Sequence, residues 1–304
     1  MRLSVALLAV CATTAIAQRM PSRDSLVVSP EWLASHLDDR NLVVLQVGDR
    51  ADYEKGHIPG ARAVSLDLIS VSDRTGDGLT LELPKPDQLR QTLSALGISD
   101  NSHIVVSYDR DRITAATRVI FTLDYAGLGA RTALLDGGMG AWERDGRATT
   151  TSVAPLRPGH LSPLTVKPIV ATADYVRTHL GRKSVSVVDA RTTSFYDGSQ
   201  TGSGHAGPHR TGHIAGAKSV PYTSVVDELV RLRPTEQLAA LFSTAGVAPG
   251  DTVIGYCHIG QQATAMLFAA RVTGHPVLLY DGSFEDWSHH ADFPVDNPSA
   301  ARRP

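Results

Sequence analysis

A short segment near the carboxyl end of the chain pairs a potential nucleophile with a backbone arrangement that would activate it. Cys257 lies between the apolar run Thr252–Tyr256 and a helix-like stretch at 263–273. The thiolate form of a cysteine is the reactive form. A short loop that leads from a buried strand into a helix turns several N–H groups toward one point, and this favours an anion there.

The position of this segment in a sheet supports the same interpretation. Ligands of parallel sheets bind at the carboxyl ends of the strands, and Cys257 would lie at such an end. We therefore predict that Cys257 is a catalytic nucleophile, although many free cysteines are buried structural residues. The loop that would bind its substrate consists of His258, Ile259, Gly260, Gln261 and Gln262. Gly260 permits backbone conformations that a side chain would forbid.

The first residues predict an export signal. A positive start at Arg2 is followed by an almost wholly apolar stretch at 3–10 and by small residues up to Ala17. This is the pattern of a secretory signal peptide at 1–17, so we expect a periplasmic or secreted protein. The stretch is shorter than the ~20 residues of a membrane span. A buried helix, or a lipoprotein-type site at Cys11 that would tether the protein to a membrane, are the alternatives.

Cleavage after Ala17 would leave Cys257 as the only cysteine, because the chain has two and the other is Cys11. A lone cysteine has no disulfide partner in its own chain, so export does not imply a disulfide scaffold here. The thiol is therefore expected to be free.

Length and composition indicate a globular protein of two domains. The chain has 304 residues, of which 42% are hydrophobic and 20% charged, and domains usually contain about 100–150 residues. A net charge of −2 and the lack of a basic run give no support for a nucleic-acid partner.

Internal repeats show that the two domains are copies of one unit. Gly-His-Ile-Pro-Gly-Ala at 56–61 recurs as Gly-His-Ile-Ala-Gly-Ala at 212–217, and an Asp-Gly motif that closes on a tryptophan occurs at 136–142 and 281–287. Between these motifs, the apolar run at 104–108 matches the one at 252–256. The order is the same in both halves, as expected for a duplicated domain.

Within each half, apolar runs of strand length alternate with stretches of helical periodicity. Examples are the runs Leu42–Val47 and 185–188, and the helical stretches at 87–96 and 235–245, each followed by glycine. This alternation predicts an α/β fold in which each domain is a parallel sheet flanked by helices on both faces. We place the domains at 26–150 and 168–298, joined by a proline-containing linker at 151–167.

In these motifs the chain resembles the tandem-domain rhodaneses, the thiosulfate and 3-mercaptopyruvate sulfurtransferases, over nearly all of its mature length. The resemblance implies a ping-pong cycle in which Cys257 takes up a sulfane sulfur as a persulfide and passes it on. It also implies that backbone amides of the loop stabilise the persulfide. Thiosulfate or a related small molecule would be the donor, cyanide or a thiol the acceptor, with a protein acceptor as a further possibility. No cofactor and no metal are implied.

Asp189 and Arg191 match the acid and base that follow a strand in this family. The resemblance implies that they tie the pocket wall together. Arg191 is also a candidate for substrate binding or catalysis, and both interpretations are open at this stage.

The first copy lacks these polar residues. Asp109 aligns with Cys257, and Gln46 and Gly48 align with Asp189 and Arg191. A carboxylate cannot carry a persulfide, so we expect the first domain to be inactive, to support the second and to form part of the wall of its cleft.

The sequence identifies the sulfur donor less clearly than the nucleophile. Thiosulfate enzymes of animal type have basic residues after the cysteine and mercaptopyruvate enzymes have a glycine and a small residue, whereas this chain has His258 and Ile259. Phe195 stands where the thiosulfate enzymes have a further arginine. We favour thiosulfate because His258 can supply positive charge, with mercaptopyruvate as the second choice.

The second copy carries an insert at 197–211 that is rich in glycine, serine and histidine. His205, His209 and His213 recur every four residues, but the glycines and Pro208 among them disfavour a helix. We expect a flexible loop near the cleft rather than a metal site.

Two other functions would use a cysteine loop at the same place in the fold. A cysteine phosphatase of the same fold needs an arginine where this chain has Ala263, and its loop is one residue longer. A persulfide carrier that delivers sulfur to a partner protein would use the same cysteine loop without rapid turnover.

Overall fold

The computed structural model describes residues 22–73, 78–109, 112–153, 155–202 and 209–300. The predicted signal peptide at 1–17 and His205 of the insert lie outside these ranges. No helix in the described ranges combines the length and the apolarity that a membrane span requires.

The first domain is built on a five-stranded sheet in which all neighbouring strands are parallel. Its strands are β1 Val27–Val28, β2 Leu42–Val47, β3 Arg62–Val64, β4 His103–Tyr108 and β5 Thr132–Leu135, in the spatial order β1-β5-β4-β2-β3. Its helices are α1 Arg23–Leu26, α2 Pro30–His36, α3 Arg50–Lys55, α4 Leu66–Ile69, α5 Pro86–Ala95, α6 Ile113–Tyr125 and α7 Gly138–Arg144, with a 3₁₀ turn at Gly129–Arg131.

The second domain repeats this topology. Its strands are β6 Val170–Ala171, β7 Val185–Asp189, β8 His213–Ile214, β9 Lys218–Ser219, β10 Thr252–Tyr256, β11 Val277–Tyr280 and β12 Val295–Asp296. Its helices are α8 Ala173–His179, α9 Thr193–Tyr196, α10 Thr235–Thr244, α11 Gln262–Val272 and α12 Ser283–His289, with a 3₁₀ turn at Tyr222–Val225. The parallel sheet has the order β6-β11-β10-β7-β9, which corresponds strand by strand to that of the first domain, and β8 pairs with β12 in a separate antiparallel ribbon.

Both faces of each sheet are buried, as expected of parallel strands covered by helices. In β2, the side chains of Val43, Leu45 and Val47 point into one apolar cluster, while that of Val44 points into another on the opposite face. The cluster that contains Val43 also includes Val253 and Met266 of the second domain. The two domains therefore share one hydrophobic core, and each has a smaller core of its own on its outer face.

Helices α6 and α11 form the centre of the shared core. Nearly every residue of both helices is buried, which is the property of a helix that is enclosed on all sides. They pack against each other across the domain boundary, where the hydroxyls of Thr117 and Thr264 share a hydrogen bond of 3.0 Å. The helix that follows the cysteine loop is thus in direct contact with its counterpart in the first domain.

The recurring glycine–histidine motif has the same structural contacts in both copies. The His57 ring stacks on Tyr53 and its Nδ1 lies 2.9 Å from the Tyr53 carbonyl oxygen. The His213 ring stacks on Tyr196 in the same way, with Nδ1 2.7 Å from the Tyr196 carbonyl oxygen. Each histidine therefore fixes the preceding helix against the chain that enters the next strand.

Candidate active site

Cys257 follows β10 directly, at the carboxyl edge of the second sheet. The last residue of β10, Tyr256, pairs with Asp189 at the end of β7, so the cysteine loop and the Asp189–Arg191 pair emerge from neighbouring strands. The loop runs over 257–261 and α11 begins at Gln262. The Cys257 thiol is fully buried and is not in a disulfide.

The loop encloses the sulfur with backbone donors. Burial raises the pKa of the Cys257 thiol above its usual value, and the N–H groups of Ala263, Ile259 and Gln262 act in the opposite direction by donating to the sulfur. Donors aimed at a sulfur stabilise its anionic form. The N–H groups therefore partly offset the effect of burial, and they would stabilise a sulfur anion in this position, whether a thiolate or the terminal sulfur of a persulfide.

Gly260 is the turning point of this loop. Its φ is +77°, in the left-handed region, and a Cβ there would lie 2.7 Å from the carbonyl oxygen of Asp281. Both the backbone conformation and the close approach of a second segment exclude a side chain at this position.

The closing Asp-Gly motif holds the outer side of the loop. The Phe284 and Glu285 N–H groups, at the start of α12, donate to the carbonyl oxygens of Cys257 and His258 at 3.1 and 3.0 Å. The Cys257 N–H donates in turn to the Ser283 hydroxyl at 3.2 Å. The motif that the sequence repeats thus fixes the carbonyls of the loop, which leaves its N–H groups directed inward.

Asp189 and Arg191 form a buried ion pair beside the cysteine. Arg191 Nη2 and Nε donate to the Asp189 carboxylate at 2.6 and 3.0 Å, and Nη2 also donates to the Gly212 carbonyl oxygen at 2.7 Å. The guanidinium lies 4.2 Å from the centre of the Phe284 ring. Nε and Nη2 of Arg191 are thus engaged within the protein, which fits the structural interpretation, while none of these hydrogen bonds involves Nη1, the atom through which Arg191 would bind a substrate.

Aromatic rings line the side of the loop that faces the insert. The His258 ring meets Phe195 edge to face with centroids 4.5 Å apart, and His209 of the insert lies 5.6 Å from His258. Burial, together with the charges of Arg191 and His289, lowers the pKa of His209 to about 4. His209 is therefore neutral at physiological pH and adds no positive charge. Among the described residues there is no cluster of three His, Cys, Asp or Glu side chains placed to hold a metal.

The corresponding position in the first copy is filled by a carboxyl group. Asp109 follows β4 as Cys257 follows β10, and its Oδ1 accepts a hydrogen bond of 2.9 Å from Gln46 Nε2. Burial, opposed by the Gln46 hydrogen bond, raises the pKa of Asp109 to about 6. A Cβ on Gly48 would lie 2.0 Å from Asp109 Oδ2. The aspartate thus occupies the space that an arginine at position 48 would need, which explains why both positions differ from the second copy.

Two residues of the first domain, Arg118 and Thr114, contact the cysteine loop, and the repeated motifs do not include them. The Arg118 guanidinium, from α6, donates to the Gly260 carbonyl oxygen at 3.3 Å and forms an ion pair of 2.5 Å with Asp281. Gln261 Nε2 donates to the Thr114 hydroxyl at 3.1 Å. Gln261 also lines a cavity of about 440 Å³ between the domains, together with Ser65, Arg112 and Tyr222. The sequence signal for Arg118 is a positive charge in the middle of a largely apolar helix.

Comparison with known protein families agrees with this architecture. The model of the rhodanese-like domain matches residues 29–145 and 172–290, which together are well over half of the chain. The chain belongs to the rhodanese family. The predicted family and the predicted fold, two rhodanese domains with parallel sheets flanked by helices, are therefore confirmed.

Relatives of this rhodanese are named for different activities. It is 32% identical over 274 residues to a thiosulfate sulfurtransferase of Pseudomonas aeruginosa, a match that covers 89% of this chain and 97% of the relative. It is 30% identical over 280 residues to a 3-mercaptopyruvate sulfurtransferase of Escherichia coli, covering 88% and 97%. A sulfur carrier protein, TtuD of Thermus thermophilus, is 29% identical over 280 residues, covering 89% and 96%.

A solved rhodanese structure has the same arrangement of domains. The 3-mercaptopyruvate enzyme SseA of Escherichia coli superposes with a TM-score of 0.74 at 27% identity, covering 85% of this chain and 98% of the other. The two-domain architecture therefore extends over the full length of that relative.

Proposed function

We propose that this rhodanese is a sulfurtransferase that moves a sulfane sulfur from thiosulfate to cyanide or a thiol through a persulfide on Cys257. The observation that carries the proposal is the cysteine loop, in which three backbone N–H groups, those of Ala263, Ile259 and Gln262, converge on one buried sulfur. Donors that are already oriented toward a developing anion lower the barrier of a reaction that forms it.

The two half-reactions use this anion site in the same way. In the first, the Cys257 thiolate attacks the outer sulfur of thiosulfate, the S–S bond of the donor breaks, and sulfite leaves with the electron pair. In the second, cyanide attacks the outer sulfur of the persulfide, thiocyanate leaves, and the thiolate is restored. The negative charge is on sulfur within the loop before and after each step, so the same N–H groups stabilise every resting form.

Thiosulfate is our first choice of donor for an electrostatic reason. A dianion is favoured by the N–H groups at the start of α11 and by the positive end of that helix. The relatives include enzymes named for both donors, so 3-mercaptopyruvate is the second choice.

Delivery of sulfur to a partner protein is a second candidate function, because one relative is named a sulfur carrier. The complete burial of Cys257 favours small donors and acceptors over a protein surface. A carrier would form the persulfide but turn over slowly with cyanide.

Steady-state kinetics with each donor test the proposal. We expect thiocyanate production from thiosulfate and cyanide, loss of at least about 10³-fold of kcat in Cys257→Ser because the nucleophile is removed, and nearly unchanged rates in Asp109→Asn. Asp109→Asn is the matched control, since it alters the same position in the other copy. Equal rates in the wild type and Cys257→Ser would reject the proposal, and a higher kcat/KM with 3-mercaptopyruvate would reassign the donor.

We also propose that the protein is exported, on the basis of the signal pattern at 1–17. Expression of the full chain in a bacterial host, followed by amino-terminal sequencing of the periplasmic fraction, should give a mature protein that begins at Gln18. An uncleaved chain confined to the cytoplasm would contradict export.

Phosphatase activity has little support at this site. The side chain of Ala263 stands where a phosphatase would place its arginine and is fully buried. We therefore expect no turnover of phosphate esters that depends on Cys257.

A further inference from the structure

The boundary between the two domains contains a fully buried arginine that belongs to the inactive copy. Arg118 lies in the middle of α6, and its side chain has no solvent exposure. Its Nη1 donates to Asp281 Oδ1 at 2.5 Å and to the Gly260 carbonyl oxygen at 3.3 Å, and its Nη2 donates to the Leu81 carbonyl oxygen at 2.5 Å. A buried charge is tolerated only when it is paired and hydrogen-bonded in this way.

The contact with Gly260 acts on the orientation of the sulfur site. In a trans peptide the C=O and the following N–H point in opposite directions. Because Arg118 binds the Gly260 carbonyl oxygen, it opposes a rotation of the peptide between Gly260 and Gln261 that would turn this oxygen toward the sulfur. The N–H donors to the sulfur lie on either side of this peptide, at Ile259 and at Gln262, and a rotation would displace both.

The contact with Asp281 acts on the outer support of the same loop. Asp281 is the first residue of the closing motif, and its second carboxylate oxygen accepts a hydrogen bond of 2.9 Å from the Leu83 N–H of the first domain. One guanidinium therefore joins the turning point of the cysteine loop, the segment that supports the loop from outside, and the chain at 81–83.

We infer that Arg118 is a positioning residue through which the first domain fixes the cysteine loop in its anion-binding form. It does not touch the sulfur, so it is not a catalytic residue. The inference rests on the proposed function for its effect on turnover, and on the loop geometry alone for its effect on the thiol. Loss of Arg118 should therefore raise the pKa of Cys257 and lower kcat, with little change in KM.

The same two helices supply a matched control. Arg271 of α11 forms an ion pair of 3.0 Å with Asp124 of α6, and both side chains are mostly buried. This pair also crosses the domain boundary, but neither residue contacts the cysteine loop in any hydrogen bond or ion pair of the described residues. Arg271→Met therefore weakens the boundary without disturbing the loop.

The test uses Arg118→Met combined with Asp281→Asn, so that Asp281 is not left as a buried carboxylate without its ion-pair partner. The pH titration of the Cys257 thiolate is followed by ultraviolet absorbance in the full chain, with the spectrum of Cys257→Ser subtracted. This readout needs no sulfur donor. Turnover with thiosulfate and cyanide is measured in parallel.

For the double variant we expect a higher midpoint of the thiolate titration than in the wild type. Its kcat should be about 10- to 100-fold lower, which is less than the loss expected when a direct donor to the anion is removed. Its KM should stay within about twofold of the wild-type value. Arg271→Met should keep the wild-type midpoint and kcat. Arg118→Lys, which retains the charge, should lie between the wild type and the double variant, and it serves as the test if the double variant does not fold.

A midpoint and a kcat equal to those of Arg271→Met would show that Arg118 only holds the domains together and would overturn the inference. If the wild type transfers no sulfur but the midpoint still shifts in the Arg118 variants, the proposed function fails and the positioning role stands.

Discussion

Two opposing influences act on the thiol of Cys257. Its burial disfavours the thiolate, while the N–H groups of Ala263, Ile259 and Gln262 favour it, and the first effect is the larger, since the pKa of Cys257 is raised. A persulfide is intrinsically more acidic than a thiol, so its anion would gain the full benefit of the same donors. The site is therefore better suited to holding the persulfide intermediate than to keeping the free thiolate.

This balance predicts the pH dependence of the first half-reaction. Since only the thiolate attacks the donor, and since the raised pKa moves deprotonation to higher pH, the rate of persulfide formation should still be rising at pH ~8.5, where an ordinary thiol is half ionised. Rapid mixing with thiosulfate, followed by quenching and mass analysis across the pH range, measures this rate. A rate that is level from about pH 6 to 9 would contradict the balance described here.

At the scale of elements, the cysteine loop is held between α11, which it enters, and α12, which binds its carbonyls. Residues 209–211 of the insert cover a further side of the cysteine loop. The Arg210 guanidinium donates to the carbonyl oxygens of His290 and Phe293, and this fixes the neighbouring His209 beside His258 of the loop. The cysteine loop is therefore in contact with fixed segments on each of these sides.

Gly260→Ala tests whether the site depends on this conformation of the cysteine loop. The substitution combines a positive φ with a contact of 2.7 Å to the Asp281 carbonyl oxygen, so we expect a loss of about 1–3 kcal/mol in the free energy of unfolding and a fall in kcat of at least about 10²-fold because the N–H donors are displaced.

Gly274→Ala is the control, since Gly274 follows the other end of α11 with a φ of +86° and no atom within 4 Å of the added Cβ. It should lose about 1 kcal/mol from the backbone conformation alone and keep its kcat. Denaturant unfolding and steady-state kinetics measure both effects. A similar kcat in the two variants would show that the loop tolerates displacement.

Much of the fold, and the position of Cys257 between a strand and a helix, could be predicted from the sequence, because both depend on local patterns. Buried parallel strands are short apolar runs, helices show their own periodicity, and the comparison of the repeats singled out the second copy as the one with the candidate nucleophile. The role of Arg118 could not be predicted, since Gly260 lies 142 residues away along the chain and no local pattern encodes that pairing. A charge in the middle of the largely apolar helix α6 is consistent with a buried partner but does not identify it.

At the scale of the whole molecule, the two domains form one unit around a shared core. The segment at 80–83 of the first domain binds the closing motif of the second through Glu285 and Asp281. Glu82 lies within this contact, and burial, together with the negative charge of Asp281, raises its pKa to about 7. The boundary therefore contains more carboxyl groups than Arg118 can neutralise.

Glu82→Gln should stabilise the protein at alkaline pH. The folded state holds the Glu82 proton more tightly than the unfolded state does, so this contribution to stability is complete below the ordinary value of 4.5 and is lost as the pH rises through about 7. Glutamine mimics the protonated form at every pH. Thermal unfolding should show a higher Tm for the variant at pH ~8 and no gain at pH ~4.5, whereas a gain that does not depend on pH would contradict this account of Glu82.

The central claim, that Cys257 carries the transferred sulfur, is tested most directly by the mass of the intact protein. After incubation with thiosulfate and removal of the excess, the wild type should gain about 32 Da, the mass of one sulfur atom in a persulfide. Addition of cyanide should remove this mass and release one thiocyanate per chain. Cys257→Ser should show neither change, whereas an adduct of the same mass on Cys257→Ser, or none on the wild type, would contradict the account.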